Sequence, residues 1–199
     1  MGRSRAEKKL FSTIIIKPGK ILQPAIRKYI CALEARTSSC PRIKKRCSEN
    51  NKIGIVDFAH TPDAIKKVLM SLREYVSEKN KLITIVGCGG GRDKLKRFKM
   101  GRISSSLSDI SIYTSDNPRD EDPNQIIKDM LEGVETENRN KVIVIENREK
   151  AIEKGVKLSN GKDVVVVLGK GHEKYQLIGN KKIEFSDKEK LSYYLKRAV

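Results

Sequence analysis

The chain has 199 residues, 38% of them hydrophobic and 34% charged, with a formal net charge of +17. That length accommodates one ordinary domain with an appendage, and the apolar fraction suffices for a core. No stretch approaches the roughly eighteen consecutive apolar residues of a membrane-spanning helix. The short apolar run from Leu10 to Ile16 is followed by Lys17-Pro18-Gly19-Lys20 rather than by a small-residue cleavage site, so it does not read as a signal peptide.

Residues 1–52 hold 14 Lys and Arg against 3 Asp and Glu, a net of +11, and the remainder carries +6. Such basicity suits a polyanion partner, but compositional drift toward lysine explains it better. Aromatic residues, however, make up only 5%, and no stacking or recognition motif accompanies the charge, so nucleic acid is not the expected partner. Within this segment Ile14–Ile16 reads as a strand and Ala25–Ala35 as a helix. The stretch from Cys40 to Asn50 has no periodicity and is expected to be loosely ordered. The chain therefore divides into a basic, weakly patterned segment, 1–52, and a folded domain, 53–199. The cysteines Cys31, Cys40, Cys47 and Cys88 form no C-x-x-C pair. They carry neither a zinc nor a thioredoxin signature and read as free thiols of a reducing cytoplasm.

From Ile53 onward apolar runs alternate with helical patterns. Ile53–Phe58 reads as a buried strand, followed by Thr61 as an N-cap with Pro62 at the first helical position. Ile65, Val68, Leu69 and Leu72 fall at helical spacing. Leu82–Gly87 is a second strand, with a helix from about Met100 to Leu107 behind it. Ile110–Thr114 is a third strand. Asp122-Pro123 opens a helix with Ile126, Ile127, Met130 and Leu131 on its apolar face. Val142–Ile145 is a fourth strand, Glu149–Leu158 a helix, and Asp163–Leu168 a fifth strand containing four successive valines. Gly179-Asn180 separates two short runs as a hairpin turn does, and Ser186–Glu189 is a capping box that opens the last helix. Strands alternating with helices predict βαβ units: an α/β, Rossmann-like, mostly parallel sheet with helices on both faces. In that architecture ligands sit at the carboxyl ends of the strands.

Four polar or glycine-rich segments fall at those ends: Asp57-Phe58-Ala59-His60-Thr61-Pro62, Gly87–Lys94, Asp116-Asn117-Pro118-Arg119, and Gly169-Lys170-Gly171-His172-Glu173. The glycine run matches neither the P-loop nor the dinucleotide fingerprint, since Arg92 stands where the latter needs glycine. A tight turn alone explains the glycines as well as a ligand does. Arg92 and Lys94 beside them favour an anion. Asp116–Arg119 is a turn by composition; it either simply caps itself or presents the Arg119 guanidinium, whose planar fork suits a carboxylate. Glu173 offers the complementary carboxylate for an ammonium. Arg92 and Arg119 opposite Glu173 would suit a zwitterionic amino acid. The two histidines, His60 and His172, lie in strand-end segments, but no nucleophile–His–Asp arrangement and no metal-ligand spacing is present.

Taken together, these segments resemble a known family. Asp57–Pro62 resembles the D-[YF]-A-H-[NT]-P motif that begins the C-terminal domain of Mur ligases. Gly87–Arg97 resembles the G-C-G-G-x-R-D-x-x-K-R loop of the MurE type. Asp116–Arg119 matches its D-N-P-R motif, and Gly169–Glu173 its G-K-G-H-E motif, with Tyr175-Gln176 continuing the match. Order and spacing agree over residues 53–197. The resemblance implies an ATP-dependent ligase of peptidoglycan synthesis that joins meso-diaminopimelate to UDP-N-acetylmuramoyl-L-alanyl-D-glutamate through an acyl phosphate. It implies that Arg92, Asp116, Asn117, Pro118, Arg119, Gly169 and Glu173 bind diaminopimelate. Arg119 would grip the far carboxylate and Glu173 the ammonium beside it, and lysine-adding relatives lack the arginine of D-N-P-R. Asp57 and His60 would lie near the nucleotide. The family's P-loop, magnesium ligands and UDP-binding domain have no counterpart in these residues, and Arg42 is only a partial match to an ATP-binding arginine. The expectation is therefore a cytoplasmic domain or fragment that does not use ATP and Mg by itself. The alternatives are an inactive gene remnant or a basic nucleic-acid-binding protein.

Overall fold

A computed structural model describes residues 13–16, 52–74 and 76–197. The expected helix Ala25–Ala35, the stretch Cys40–Asn50, Arg42 and three of the cysteines (Cys31, Cys40, Cys47) lie outside the described residues.

In chain order the elements are β1 (Thr13–Ile16), β2 (Ile53–Asp57), α1 (Pro62–Arg73), β3 (Leu82–Val86), α2 (Leu95–Leu107), β4 (Ile110–Tyr113), α3 (Pro123–Leu131), a 3₁₀ turn (Thr136–Lys141), β5 (Val142–Val144), α4 (Arg148–Leu158), β6 (Val164–Leu168), β7 (Tyr175–Ile178), β8 (Lys181–Glu184) and α5 (Asp187–Arg197). The local signals act as chemistry requires. Thr61 Oγ1 accepts from the Ala64 amide at 3.3 Å and Asp122 Oδ1 from the Asn124 amide at 2.9 Å, each followed by a proline at the first turn. The Glu189 amide donates to Ser186 Oγ at 3.3 Å, which caps α5. β7 and β8 pair as an antiparallel hairpin with Gly179 in the turn.

The main sheet has the order β1-β2-β6-β3-β4-β5. β2, β6, β3, β4 and β5 run parallel, and β1 lies antiparallel on β2 at the edge. β1 falls where Ile14–Ile16 reads as a strand in the sequence. Three successive β-branched isoleucines after Thr13 supply strand propensity, and an antiparallel strand is commonly found at the edge of a parallel sheet. α2 starts earlier than its apolar spacing indicates, because its buried face is Arg97, Met100, Gly101, Ser104 and Ser105 rather than an apolar stripe.

Both faces of the sheet are covered. α1, α2 and α3 pack with Ile55, Leu82, Val86, Tyr113, Val164, Val166 and Leu168 on one side. α4 and α5 pack with Val56, Ile83, Ile85, Ile112, Val165 and Val167 on the other. Central β6 (Val-Val-Val-Val-Leu) is buried throughout and feeds both cores. Asp57 and Val86 both pair in register with Leu168, Tyr113 pairs with Val86, and Val144 with Tyr113. The carboxyl ends therefore form one row. β6 enters between β2 and β3, and the connection that leaves it runs to the opposite face from theirs. The segment Gly169–Glu173 thus emerges at the topological switch, between the other strand-end segments.

Candidate functional site

The turn after β4 is the hub of the site. Asp116 and Asn117 are buried, as is Pro118. Asn117 Oδ1 accepts from Lys170 Nζ at 2.8 Å and from the Leu177 amide at 3.0 Å, while its Nδ2 donates to Glu173 Oε2 at 3.0 Å. Lys170 Nζ also donates to Glu173 Oε2 at 3.1 Å and to Asp116 Oδ1 at 3.5 Å. Burial pushes the Asp116 carboxyl above its ordinary range, against the pull of Arg148 and Lys170. Gly169 takes a φ of +116°, and a Cβ there would lie 2.5 Å from Asp116 Oδ2, so the turn after β6 needs glycine on both counts.

Arg119 is held in the left-handed region at φ +53°. Its amide donates to the Leu177 carbonyl at 3.1 Å and its carbonyl accepts from the Gly179 amide at 2.7 Å, so the β7–β8 hairpin fixes its backbone. The guanidinium lies across the glycine loop. Nη1 donates to the Gly90 carbonyl at 2.6 Å and, more weakly, to the Asn117 carbonyl at 3.5 Å. Its other nitrogens make no hydrogen bond among the described residues. The loop and turn are in backbone contact: the Gly90 amide donates to the Asn117 carbonyl at 2.9 Å, and a Cβ on Gly90 would sit 1.9 Å from the Pro118 carbonyl oxygen. Arg92 is exposed and forms no ion pair among the described residues. A Cβ on Gly89 would nevertheless lie 3.2 Å from Arg119 Nη1 and 3.9 Å from Arg92 Cγ, so the two arginines flank the same glycine.

The structure thus brings Asp116, Asn117, Arg119, Gly169 and Glu173 into one connected cluster, with Pro118 beneath it and Arg92 at its rim. The segment after β2 stands at one side. Asp57 is fully buried, and its Oδ1 accepts from the Ala59 amide at 2.7 Å, so its carboxylate shapes the loop from within. His60 and His172 are exposed, and both rings pack on Phe58, with centroids 4.7 and 5.4 Å from its ring.

Three supporting groups were not singled out from the sequence. Lys170 lay inside a motif, but nothing in the sequence marked it as buried. Arg148 and Asp187 form a fully buried two-armed ion pair, Nε to Oδ1 and Nη2 to Oδ2 both at 2.7 Å. Arg148 also donates to the carbonyls of Leu168 at 2.9 Å and Ser115 at 3.3 Å, tying the ends of β6 and β4 to α5. Arg97, buried in α2, donates to Glu121 Oε1 at 2.9 Å and Asp129 Oδ2 at 2.8 Å. Glu121 Oε1 in turn accepts from the Gly91 amide at 2.6 Å and steadies the glycine loop. These bonds hold the Glu121 carboxyl down at about 2. A cleft of about 490 Å³ opens behind the turn, lined in part by Ser115, Pro118, Gln176 and Phe185.

Chemically, the cluster links the Arg119 guanidinium and the Glu173 carboxylate through one asparagine, a combination that suits a zwitterion. It does not suit a triphosphate. Two of the glycine-loop amides, Gly90 and Gly91, are already spent on the Asn117 carbonyl and the Glu121 carboxylate. No cluster of three or more potential ligands is placed to hold a metal ion among the described residues. Nor is any helix among them long and apolar enough to cross a membrane.

By fold and by the placement of its polar segments, this is a Rossmann-like domain with its polar side chains gathered at its strand ends. Residues 42–171 match the Mur ligase, glutamate ligase domain. The chain therefore belongs to the Mur ligase family. It is 49% identical over 142 residues to UDP-N-acetylmuramoyl-L-alanyl-D-glutamate–2,6-diaminopimelate ligase 1 of Clostridium acetobutylicum, covering 71% of this chain and 28% of that protein. It is 47% identical over 162 residues to the correspondingly named ligase of Clostridium botulinum, covering 78% and 32%. A solved structure of a UDP-N-acetylmuramoyl-L-alanyl-D-glutamate–2,6-diaminopimelate ligase superposes with a TM-score of 0.70 at 33% identity, over 86% of this chain and 36% of that one. The chain thus spans about a third of the length of these relatives.

Proposed function

We propose that this chain is the amino-acid-binding domain of a ligase that adds meso-diaminopimelate to UDP-N-acetylmuramoyl-L-alanyl-D-glutamate in the cytoplasm during peptidoglycan synthesis. Arg119, assisted by Arg92, takes the carboxylate at the far end of diaminopimelate. Glu173, steadied by Asn117, takes the ammonium beside it. Asp116, Pro118 and Gly169 shape the floor. ATP, magnesium and the acyl-phosphate chemistry belong to the whole ligase, with Asp57 and His60 on the side of this domain that faces the nucleotide. The observation that carries the reading is the contact of Arg119 and Glu173 with the same asparagine: Nη1 reaches the Asn117 carbonyl and Oε2 its side-chain amide. The Arg119 guanidinium is the group that distinguishes diaminopimelate from lysine, which lacks the far carboxylate.

Calorimetric titration of the chain with meso-diaminopimelate and with lysine tests this. Diaminopimelate is expected to bind more tightly, and Arg119→Ala to weaken it by roughly tenfold or more, as loss of a charged hydrogen-bond partner does. Equal affinity for the two amino acids in the folded wild type would refute the assignment.

A further inference from the structure

Burying an ammonium is costly unless its donors are met. Lys170 is fully buried, and its three N–H groups have three acceptors: Asn117 Oδ1, Glu173 Oε2 and Asp116 Oδ1. The arrangement has a directional consequence. Asn117 Oδ1 holds two donors, Lys170 Nζ and the Leu177 amide, which fixes the side-chain amide and turns Nδ2 toward Glu173. Glu173 Oε2 then holds two donors of its own, from Asn117 and Lys170. Glu173 Oε1 accepts no hydrogen bond among the described residues, and the side chain keeps 23% of its surface exposed. Asp116, on the far side, shares the Lys170 charge, so that Glu173 is not the sole counter-ion of the buried ammonium.

We propose that Lys170 is a positioning residue that gives the site its preference for a ligand with a second ammonium group. It does so by clamping Asn117 and Glu173 in the orientation that leaves one carboxylate oxygen facing outward. This rests on the diaminopimelate reading and adds to it the residue that sets the ammonium preference. Lys170 acts through its neighbours and does not touch the ligand.

The experiment compares two probes on the full chain by calorimetry: meso-diaminopimelate, and 2-aminopimelate, which keeps both carboxylates and lacks the far amine. Wild type is expected to prefer diaminopimelate. Lys170→Met is expected to reduce diaminopimelate affinity by roughly tenfold or more while leaving 2-aminopimelate binding unchanged. In a Glu173→Gln background the same substitution is expected to add nothing, because the two residues act as one unit. In ¹⁵N-labelled protein the Asn117 side-chain amide resonances are expected to lose their protection from exchange in Lys170→Met, a signature that general loosening of the fold would not confine to one side chain. Lys170→Gln, which keeps two donors but no charge, is read in the same way if the methionine variant does not fold. An equal fall for both probes, or an unchanged preference, overturns the proposal. A wild-type chain that binds diaminopimelate no better than 2-aminopimelate overturns the ammonium-binding reading itself, before any variant is made.

Discussion

Arg148 and Asp187 form a two-armed ion pair that is fully buried. An arginine at the first turn of a helix, as Arg148 is, ordinarily faces water. Its burial becomes visible only when β4, β6 and α5 converge on it. Removing one partner of such a pair strands the other charge in the interior, at a cost of about 3–5 kcal/mol. Asp187→Ala is therefore expected to lower stability by about that amount, measured as a shift in the urea midpoint, although Asp187 is outside the proposed ligand site. Glu121 gives a pH-dependent prediction. Its carboxyl falls from the ordinary 4.5 to about 2 in the fold, chiefly through the hydrogen bond from Arg97. A depressed folded value means that the stabilisation is present above the unfolded value of 4.5 and is lost as pH falls toward 2. Glu121→Gln is thus expected to be less stable than wild type at about pH 6, with the gap narrowing toward about pH 3. Denaturant midpoints at the two pH values check this, and a gap of constant size would contradict it.

Among the elements, those with a clean period were placed by pattern alone. β6 is four valines and a leucine, and α1 and α3 present apolar stripes behind a cap and a proline. α2 was read only in part because its contact face is made by absence of side chain. A Cβ on Gly101 would lie 2.0 Å from the Met130 carbonyl oxygen, and one on Gly133 2.0 Å from that of Phe98. The two helices meet backbone to backbone, a geometry that no hydrophobic period encodes. Ser104 and Ser105 fill the remaining space and return their hydroxyls to carbonyls of the preceding turn, Gly101 among them. Gly101→Ala would gain helix propensity on an isolated helix. Here the steric term dominates, since the obstacle is backbone and cannot swing away. A net loss of about 1–3 kcal/mol is expected, read from the thermal or urea transition, and a stabilised variant would show that α2 and α3 can separate at little cost. The 3₁₀ turn Thr136–Lys141 was not foreseen either; it is polar throughout and carries no period.

For the molecule as a whole, the α/β class followed from the alternation of strands and helices, whereas the position of β6 did not. No local signal indicates that the fifth strand of the series returns to the middle of the sheet, because order within a parallel sheet is fixed by packing over long sequence separations. That return brings Gly169–Glu173 between the other strand-end segments, so site and topology are decided together. It also joins the two cores. Val164, Val166 and Leu168 face α1, α2 and α3, while Val165 and Val167 face α4 and α5. A strand shared in this way cannot release one core and keep the other, so a single cooperative transition is expected. Leu69 and Leu191 are both fully buried, one in each cluster. Leu69→Ala and Leu191→Ala are each expected to cost about 2–5 kcal/mol through lost contact and the cavity left behind. Both should shift the urea midpoint with an unchanged slope, and circular dichroism and tyrosine fluorescence should report the same curve. A reduced slope, or two separate transitions in either variant, would mean that the faces of the sheet unfold independently and that β6 does not couple them.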